Sequence, residues 1–267
     1  MTKWIRGTGL AAALLVFLAL PGRGSGEEQM SSMLREIRAI EFNQINYDVP
    51  SRDYFGYIKG HIPILISAPH GAKHFRTKEA RWKDEDAYTA SLAIKLGELT
   101  GAHVMYVKNR AGEDPNNDVC TRYKDSLKKV VEQNHIKFVL DLHGAGKSQP
   151  FKVDVGTFSN DTQNSSCPTF KGTIAKAFQG YEPQIFNQRF RARGPGTVTC
   201  YARKTLGVES AQVEINAKCR IVDSKTSSFK AEGPEVLDLV GRLEKLILAI
   251  NRQIENSRSE ALLKSPF

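Results

Sequence analysis

Twice in this chain a short apolar strand pattern runs directly into a His-Gly pair: Ile64-Leu65-Ile66-Ser67-Ala68-Pro69-His70-Gly71 and Phe138-Val139-Leu140-Asp141-Leu142-His143-Gly144. Ligands in open α/β sheets gather outside the carboxyl ends of strands. Two imidazoles delivered to that edge from separate strands point to one shared metal. A third strand pattern, Ala211-Gln212-Val213-Glu214-Ile215-Asn216, brings a carboxylate to the same edge. Two histidines and an acid at strand ends are the donor set of a hydrolytic zinc site.

The rest of the chain supports a layered α/β domain. Apolar runs alternate with amphipathic ones, without internal repeats or low-complexity tracts. The patterns predict strands at 62–68, 102–107, 136–142, 151–158 and 209–215, and helices at 86–99, 118–134, 168–179, 196–206 and 234–256. In the first helix Tyr88, Leu92, Leu96 and Leu99 form the apolar stripe, preceded by Asp84-Glu85-Asp86. Acids at a helix start are favoured by capping and by the macrodipole, so helix propensity alone accounts for Asp86. The segments from Lys108 to Asp118 and from Gln188 to Gly196 are polar and irregular, and the second carries Arg189, Arg191 and Arg193. Loops of this kind are where binding groups concentrate.

The N-terminus reads as a separate unit. Lys3 and Arg6 precede an apolar run from Leu10 to Leu20, and small, turn-forming residues follow from Pro21 to Gly26. This is the layout of a secretory signal peptide, and the run is short for a membrane span. Residues 1–26 are therefore assigned to a signal segment, 27–256 to one hydrolase domain, and 257–267 to a frayed tail. The expected location is secreted or periplasmic, with no stable membrane insertion once the signal is removed. Loss of Lys3, Arg6 and Arg23 lowers the formal net charge of +9 by three. The domain stays basic, which favours anionic substrates. No basic stripe interleaved with aromatics is present, which argues against nucleic acid. Cys120, Cys167, Cys200 and Cys219 are spaced too widely for a metal knuckle. In an exported chain they are compatible with two disulfides or with four buried thiols.

Each candidate has a specific physical basis. Pro69 fixes the entry to the turn at His70, and Gly71 opens backbone conformations closed to other residues. His74 has the i, i+4 spacing of helical zinc pairs with His70, but Pro-His-Gly argues against a helix there, so His74 is placed outside the ligand set. Asp141 and His143 share a strand face, because the period is two, and Asp141 is placed to hold the imidazole tautomer. Gly144-Ala-Gly-Lys-Ser148 imitates a phosphate loop, but the required earlier glycine is Asp141 and a strand rather than a helix follows. Glu214, in a partly dry cleft, would act as general base and then as general acid. His61, His103 and His135 lie beside strand starts and carry no assigned chemistry.

These residues also fall in the order of a known family. Pro69-His70-Gly71, Asp86-x-x-Thr89, Arg110-x3-Asp114-x-Asn116, Asp141-Leu142-His143 and Gln212-Val213-Glu214-Ile215 together resemble the N-formylglutamate amidohydrolase-like proteins, over about residues 60 to 216. The resemblance implies a zinc-exopeptidase (phosphorylase/hydrolase-like) α/β architecture: a three-layer αβα fold with a mixed, mostly parallel sheet. It implies Zn2+ held by His70, Asp86 and His143, with Asp84 as the fallback acid, and Glu214 as general base. It also implies a substrate carboxylate gripped by arginine: Arg110 and Asn116 match family positions, and Arg191 and Arg193 are added from their loop. Arg193 is further assigned to the oxyanion. Where the family carries Asp-x-Asn-Arg, this chain reads Asp114-Pro115-Asn116-Asn117.

The expectation is an exported zinc hydrolase of amide bonds in small acidic N-acyl-amino acids or peptides. A poly-γ-glutamate or other peptide hydrolase on the same scaffold is one alternative. A non-catalytic secreted binding protein is another. A serine esterase finds no Gly-x-Ser-x-Gly elbow.

Overall fold

A computed structural model describes residues 26–181 and 185–263. In chain order the described elements are α1 (Gly26–Gln44), β1 (Asn46–Pro50), β2 (Phe55–Ile58), β3 (Ile62–Ala68), β4 (His74–Arg76), β5 (Arg81–Lys83), α2 (Thr89–Thr100), β6 (Ala102–Val107) and β7 (Asn109–Arg110). They continue with α3 (Arg122–Gln133), β8 (Phe138–Ala145), β9 (Val153–Gly156), α4 (Lys171–Ala177), α5 (Val198–Lys204), β10 (Glu209–Asn216) and α6 (Gly233–Leu263). The central sheet has six strands in the order β2-β6-β3-β8-β10-β9. Its four inner strands are parallel. The outer two, β2 and β9, run antiparallel to their neighbours. Short β1–β7 and β4–β5 pairs stand apart from it.

The strand period of two explains both the core and the site. Ile64, Ile66, Phe138, Leu140, Leu142, Ala211, Val213 and Ile215 face one side, against apolar residues of α1, α2, α4 and α6. Their sequence neighbours Leu65, Met105, Val107 and Val139 face the other side, against Tyr123, Leu127 and Val131 of α3 and Val198 and Ala202 of α5. Further along the same strands that second face turns polar, with Ser67, Asp141, His143, Gln212 and Glu214, all buried. The register puts Ser67 and Gln212 on either side of Asp141, and Glu214 beside His143. Site and core are thus two stretches of one alternation.

Local chemistry sets the element ends. Thr121 and Thr197 accept hydrogen bonds from the backbone N–H of Lys124 and Cys200, capping α3 and α5. α2 ends on Gly101 at φ +77°, where a side chain would also strike the His61 ring.

Several expected boundaries move. The strand patterns at 62–68 and 102–107 coincide with β3 and β6, whereas the first helix starts at Thr89 rather than 86. Strand 151–158 shortens to β9, helix 168–179 to α4, and α1 is an additional helix. Helix α6 runs on through residues 257–263, and 264–267 lie outside the described residues. None of the four cysteines forms a disulfide; Cys120 is exposed and the others are buried. The expected signal segment lies outside the described residues, apart from Gly26. Among the described residues no helix is long and apolar enough to cross a membrane.

Candidate metal centre

His70 leaves the end of β3 in the turn opened by Pro69, and its carbonyl accepts from the Asp86 backbone N–H at 2.8 Å. That bond draws the segment before α2 over the strand ends. Asp86 is not a helix cap. Its carbonyl accepts from the Thr89 N–H and hydroxyl, while its carboxylate turns inward to the histidines. Tyr88 is buried at φ +69°, in the left-handed region. The Glu41 carboxylate accepts its N–H, and its hydroxyl donates to the Asp223 carbonyl. Strain of this kind persists only where the surroundings over-determine it. Here it sets the entry to α2 two residues from Asp86. The neighbouring acids do not compete: the Asp84 side chain is 90% exposed, and Glu85 is absent from the ligand cluster.

The three expected ligands converge. Nδ1 of His70 lies 3.3 Å, and Nδ1 of His143 3.2 Å, from the same Asp86 Oδ2, and all three donor atoms lie within 4.8 Å of one another. A tetrahedral zinc with bonds of about 2.0–2.1 Å sets its ligand atoms about 3.3 Å apart. Charge-assisted N–H···O bonds are shorter, at about 2.7–2.9 Å. The N···O separations fit a shared ion better than they fit direct hydrogen bonds.

The outer imidazole nitrogens are anchored as metal-binding histidines require. His70 Nε2 donates to Asp114 Oδ1 at 2.9 Å, and His143 Nε2 to Asp141 Oδ2 at 3.1 Å. Both carboxylates are fully buried and held in turn. Asp141 accepts from Ser67 at 2.9 Å, and Ser67 meets the Tyr123 hydroxyl at 3.0 Å. Asp114 accepts from Arg76 Nε at 2.8 Å and from the Asn116 N–H at 3.0 Å.

The electrostatics follow from these contacts. Burial alone would raise the Asp86 carboxyl, but the facing His143 and His70 imidazoles hold it well below the usual carboxylate range. Burial opposes protonation of His143, yet Asp141 and Asp86 raise it well above the ordinary imidazole value. Asp114 and Asp86 likewise raise His70 against the opposing effect of burial, so the three groups favour a positive charge between them.

Glu214 sits in the next strand at His143's register position, and the Gln212 side-chain amide donates to its Oε1 at 2.8 Å. Burial pushes its carboxyl up to about 7, with Asp86 adding to the rise and His143 opposing it. A carboxyl poised near neutrality can both take and return a proton.

A second cluster, His70, His74 and Asp114, overlaps the first. The His74 ring stacks on His70 with centroids 3.9 Å apart. Burial, then the neighbouring His70, holds its pKa near 3. Its Nε2 lies 3.6 Å from the Asp114 oxygen that Arg76 already grips. The Arg76 guanidinium already pairs with that carboxylate oxygen beside His74.

The expected substrate residues are scattered. Asn116 spends its Oδ1 on the Val198 N–H at 2.7 Å, tying its loop to the start of α5. Arg110 is half-buried over the Trp82 ring, 4.9 Å from its centroid. Exposed Arg191 and Arg193 share a small cavity that none of His70, Asp86, His143 or Glu214 lines, and Arg193 Nε donates to the Phe158 carbonyl.

Sequence reasoning missed two residues here. Asp114 was seen only as part of a motif, because nothing in an irregular loop shows that its carboxylate returns to His70. Arg220 is 5% exposed, its pKa lowered by burial against the pull of Asp86 and Glu214. Its sequence signal is faint: an arginine set directly against Cys219, Ile221 and Val222.

Among solved structures the chain is similar to N-formylglutamate amidohydrolase from Ralstonia eutropha JMP134. The match has a TM-score of 0.54 and 14% identity, and covers 76% of this chain and 98% of that one. The chain has the fold of that amidohydrolase. A gene product from Agrobacterium tumefaciens matches with a TM-score of 0.49 and 12% identity, over 76% and 96% of the two chains. A bacteriophage poly-gamma-glutamate hydrolase matches with a TM-score of 0.43 and 14% identity, over 74% and 89%. No protein-family profile matches the sequence, and no curated protein matches it. The fold agrees with the expected architecture, a mixed and mostly parallel sheet between helical layers.

Proposed function

We propose that the protein is an exported zinc-dependent hydrolase of amide bonds in small acidic N-acyl-amino acids or peptides. One observation carries this reading: the two Nδ1 atoms meet a single Asp86 oxygen at 3.2–3.3 Å, each imidazole braced by a buried carboxylate.

His70, Asp86 and His143 would hold the ion. Zinc supplies Lewis-acid polarisation of a carbonyl and lowers the pKa of water at neutral pH. Asp114 and Asp141 keep Nε2 protonated, so that each histidine offers the lone pair of Nδ1. Glu214, unprotonated, accepts a proton from the attacking water at a carboxylate oxygen and then returns it to the leaving amine. The Gln212 amide fixes one Glu214 oxygen, leaving the other to move the proton. Fully buried Asp141, Ser67 and Tyr123 close the back of the site to water.

The acidic substrate class rests on the basic charge of the chain and on the fold it shares with N-formylglutamate amidohydrolase. Export rests on the pattern of residues 1–26. The test is turnover of N-formylglutamate and of γ-glutamyl peptides by zinc-loaded wild type and Glu214→Gln. Release of free amine by the wild type and its loss in the variant are expected. A fully zinc-loaded wild type inert on a broad acyl-amino-acid panel contradicts the reading and leaves a binding protein.

A further inference from the structure

Arg220 follows Glu214 by six residues, beyond the turn that closes β10, and its guanidinium returns beneath the site. Nε donates to the Ile215 carbonyl at 3.1 Å, Nη1 to Ala87 at 2.6 Å and Nη2 to Ala145 at 3.3 Å. Each acceptor lies one or two residues from a site group: Ile215 follows Glu214, Ala87 follows Asp86, and Ala145 is two beyond His143. Only arginine offers several N–H donors in one rigid plane.

We propose that Arg220 is the positioning residue of the centre, one guanidinium fixing the segments of Asp86, His143 and Glu214 relative to one another. The inference rests on the metal-centre reading above, and no sequence motif includes Arg220.

Two independent features support it. Gly144 lies beside His143, and a Cβ there would stand 2.4 Å from Arg220 Nη2. The glycine of the second His-Gly pair thus leaves room for the guanidinium packed against it. Gly71 of the first junction instead clears the Val107 carbonyl, 2.3 Å from its would-be Cβ. The two glycines are alike in sequence and serve different contacts. Secondly, Arg220 is buried near enough to Asp86 and Glu214 for both acids to favour its charge, although burial lowers its pKa overall. A neutral replacement would leave these acids without that charge and the three carbonyls without their donor.

The test measures zinc affinity of the full chain by competition with a chromophoric chelator. It compares wild type, Arg220→Met, Arg220→Lys and Gly144→Ala, with circular dichroism and the thermal midpoint establishing that each is folded. Arg220→Met and Gly144→Ala are expected to lose about 10- to 100-fold in affinity, the range for residues that orient metal ligands. Arg220→Lys, which keeps the charge but not the fork, should recover part of it. With N-formylglutamate as substrate, kcat should fall about 100-fold with KM unchanged, because misplacement of the base by about 1 Å costs that much. Folded variants with wild-type zinc affinity and kcat overturn the proposal. Failure of both Arg220→Lys and Gly144→Ala to fold also overturns it, leaving Arg220 a structural clamp. A wild-type chain that takes up no zinc removes the metal-centre reading itself. A wild type that binds zinc beside variants that bind equally well removes only the role of Arg220.

Discussion

The two edges of the central sheet carry histidines in equal measure and differ in what surrounds them. At the amino-terminal edge His61, His103 and His135 line a cavity of about 940 Å3 between the starts of β3, β6, β8 and β10. There His103 Nδ1 accepts from the Gly60 N–H and meets the Tyr57 hydroxyl at 2.7 Å, and its ring stacks on Tyr57. Burial, then Lys59 and His61, lowers its pKa. The acid lining that cavity, Glu209, is engaged by Thr169. At the carboxyl edge His70 and His143 each face two carboxylates. Cavity size does not identify a metal site. An imidazole flanked by acids, one able to share an ion and one holding the outer nitrogen, is the arrangement such a site needs.

The comparison is sharpened first by Glu214→Gln. Zinc content should stay at the wild-type level while kcat falls about 10²- to 10⁴-fold, the range for loss of general acid–base catalysis. Next, Asp141→Asn should lower zinc affinity about 10- to 100-fold by weakening the anchor on His143 Nε2. Equilibrium dialysis against buffered zinc measures this.

How far the sequence discloses the site follows from the same contrast. Asp141, His143 and Glu214 are legible because strand periodicity places them on one face without knowledge of the tertiary fold. His70 is legible from its strand end and Pro-His-Gly. Asp86 needed the family pattern, since helix propensity explains the acid equally well; the start of α2 at Thr89 and the contacts of its carboxylate show that it faces the histidines. Asp114 and Arg220 reach the site from loops, where no periodicity connects a residue to its partner. The β4–β5 hairpin was unreadable for a similar reason. Its alternation spans three residues per strand, too few to stand out from turn sequence.

A smaller effect is expected in the pH dependence of the metal-free protein. The Glu214 carboxyl has a folded-state pKa of about 7, above its ordinary 4.5, so the folded chain binds this proton more tightly than the unfolded chain. That contribution is present below about pH 4.5 and is lost as pH rises through 7. Glu214→Gln removes the titration, so the metal-free variant should gain stability relative to wild type between pH 5 and 8, by up to about 3 kcal/mol. Urea unfolding at both pH values reads the difference; an equal offset at both removes Glu214 as its source. Smallest is the change at the opposite edge. His61→Gln and His135→Gln should leave zinc affinity and kcat at wild-type values and shift stability by no more than about 0.5 kcal/mol. A loss of metal in either would break the contrast between the edges.

Zinc stoichiometry separates the two edges of the sheet. Elemental analysis of the purified chain after zinc loading and desalting should give one zinc per wild-type molecule and close to none for His70→Ala and His143→Ala, with His103→Gln retaining the full equivalent. A zinc-free wild type, or His70→Ala and His143→Ala variants that keep their metal, would contradict the account.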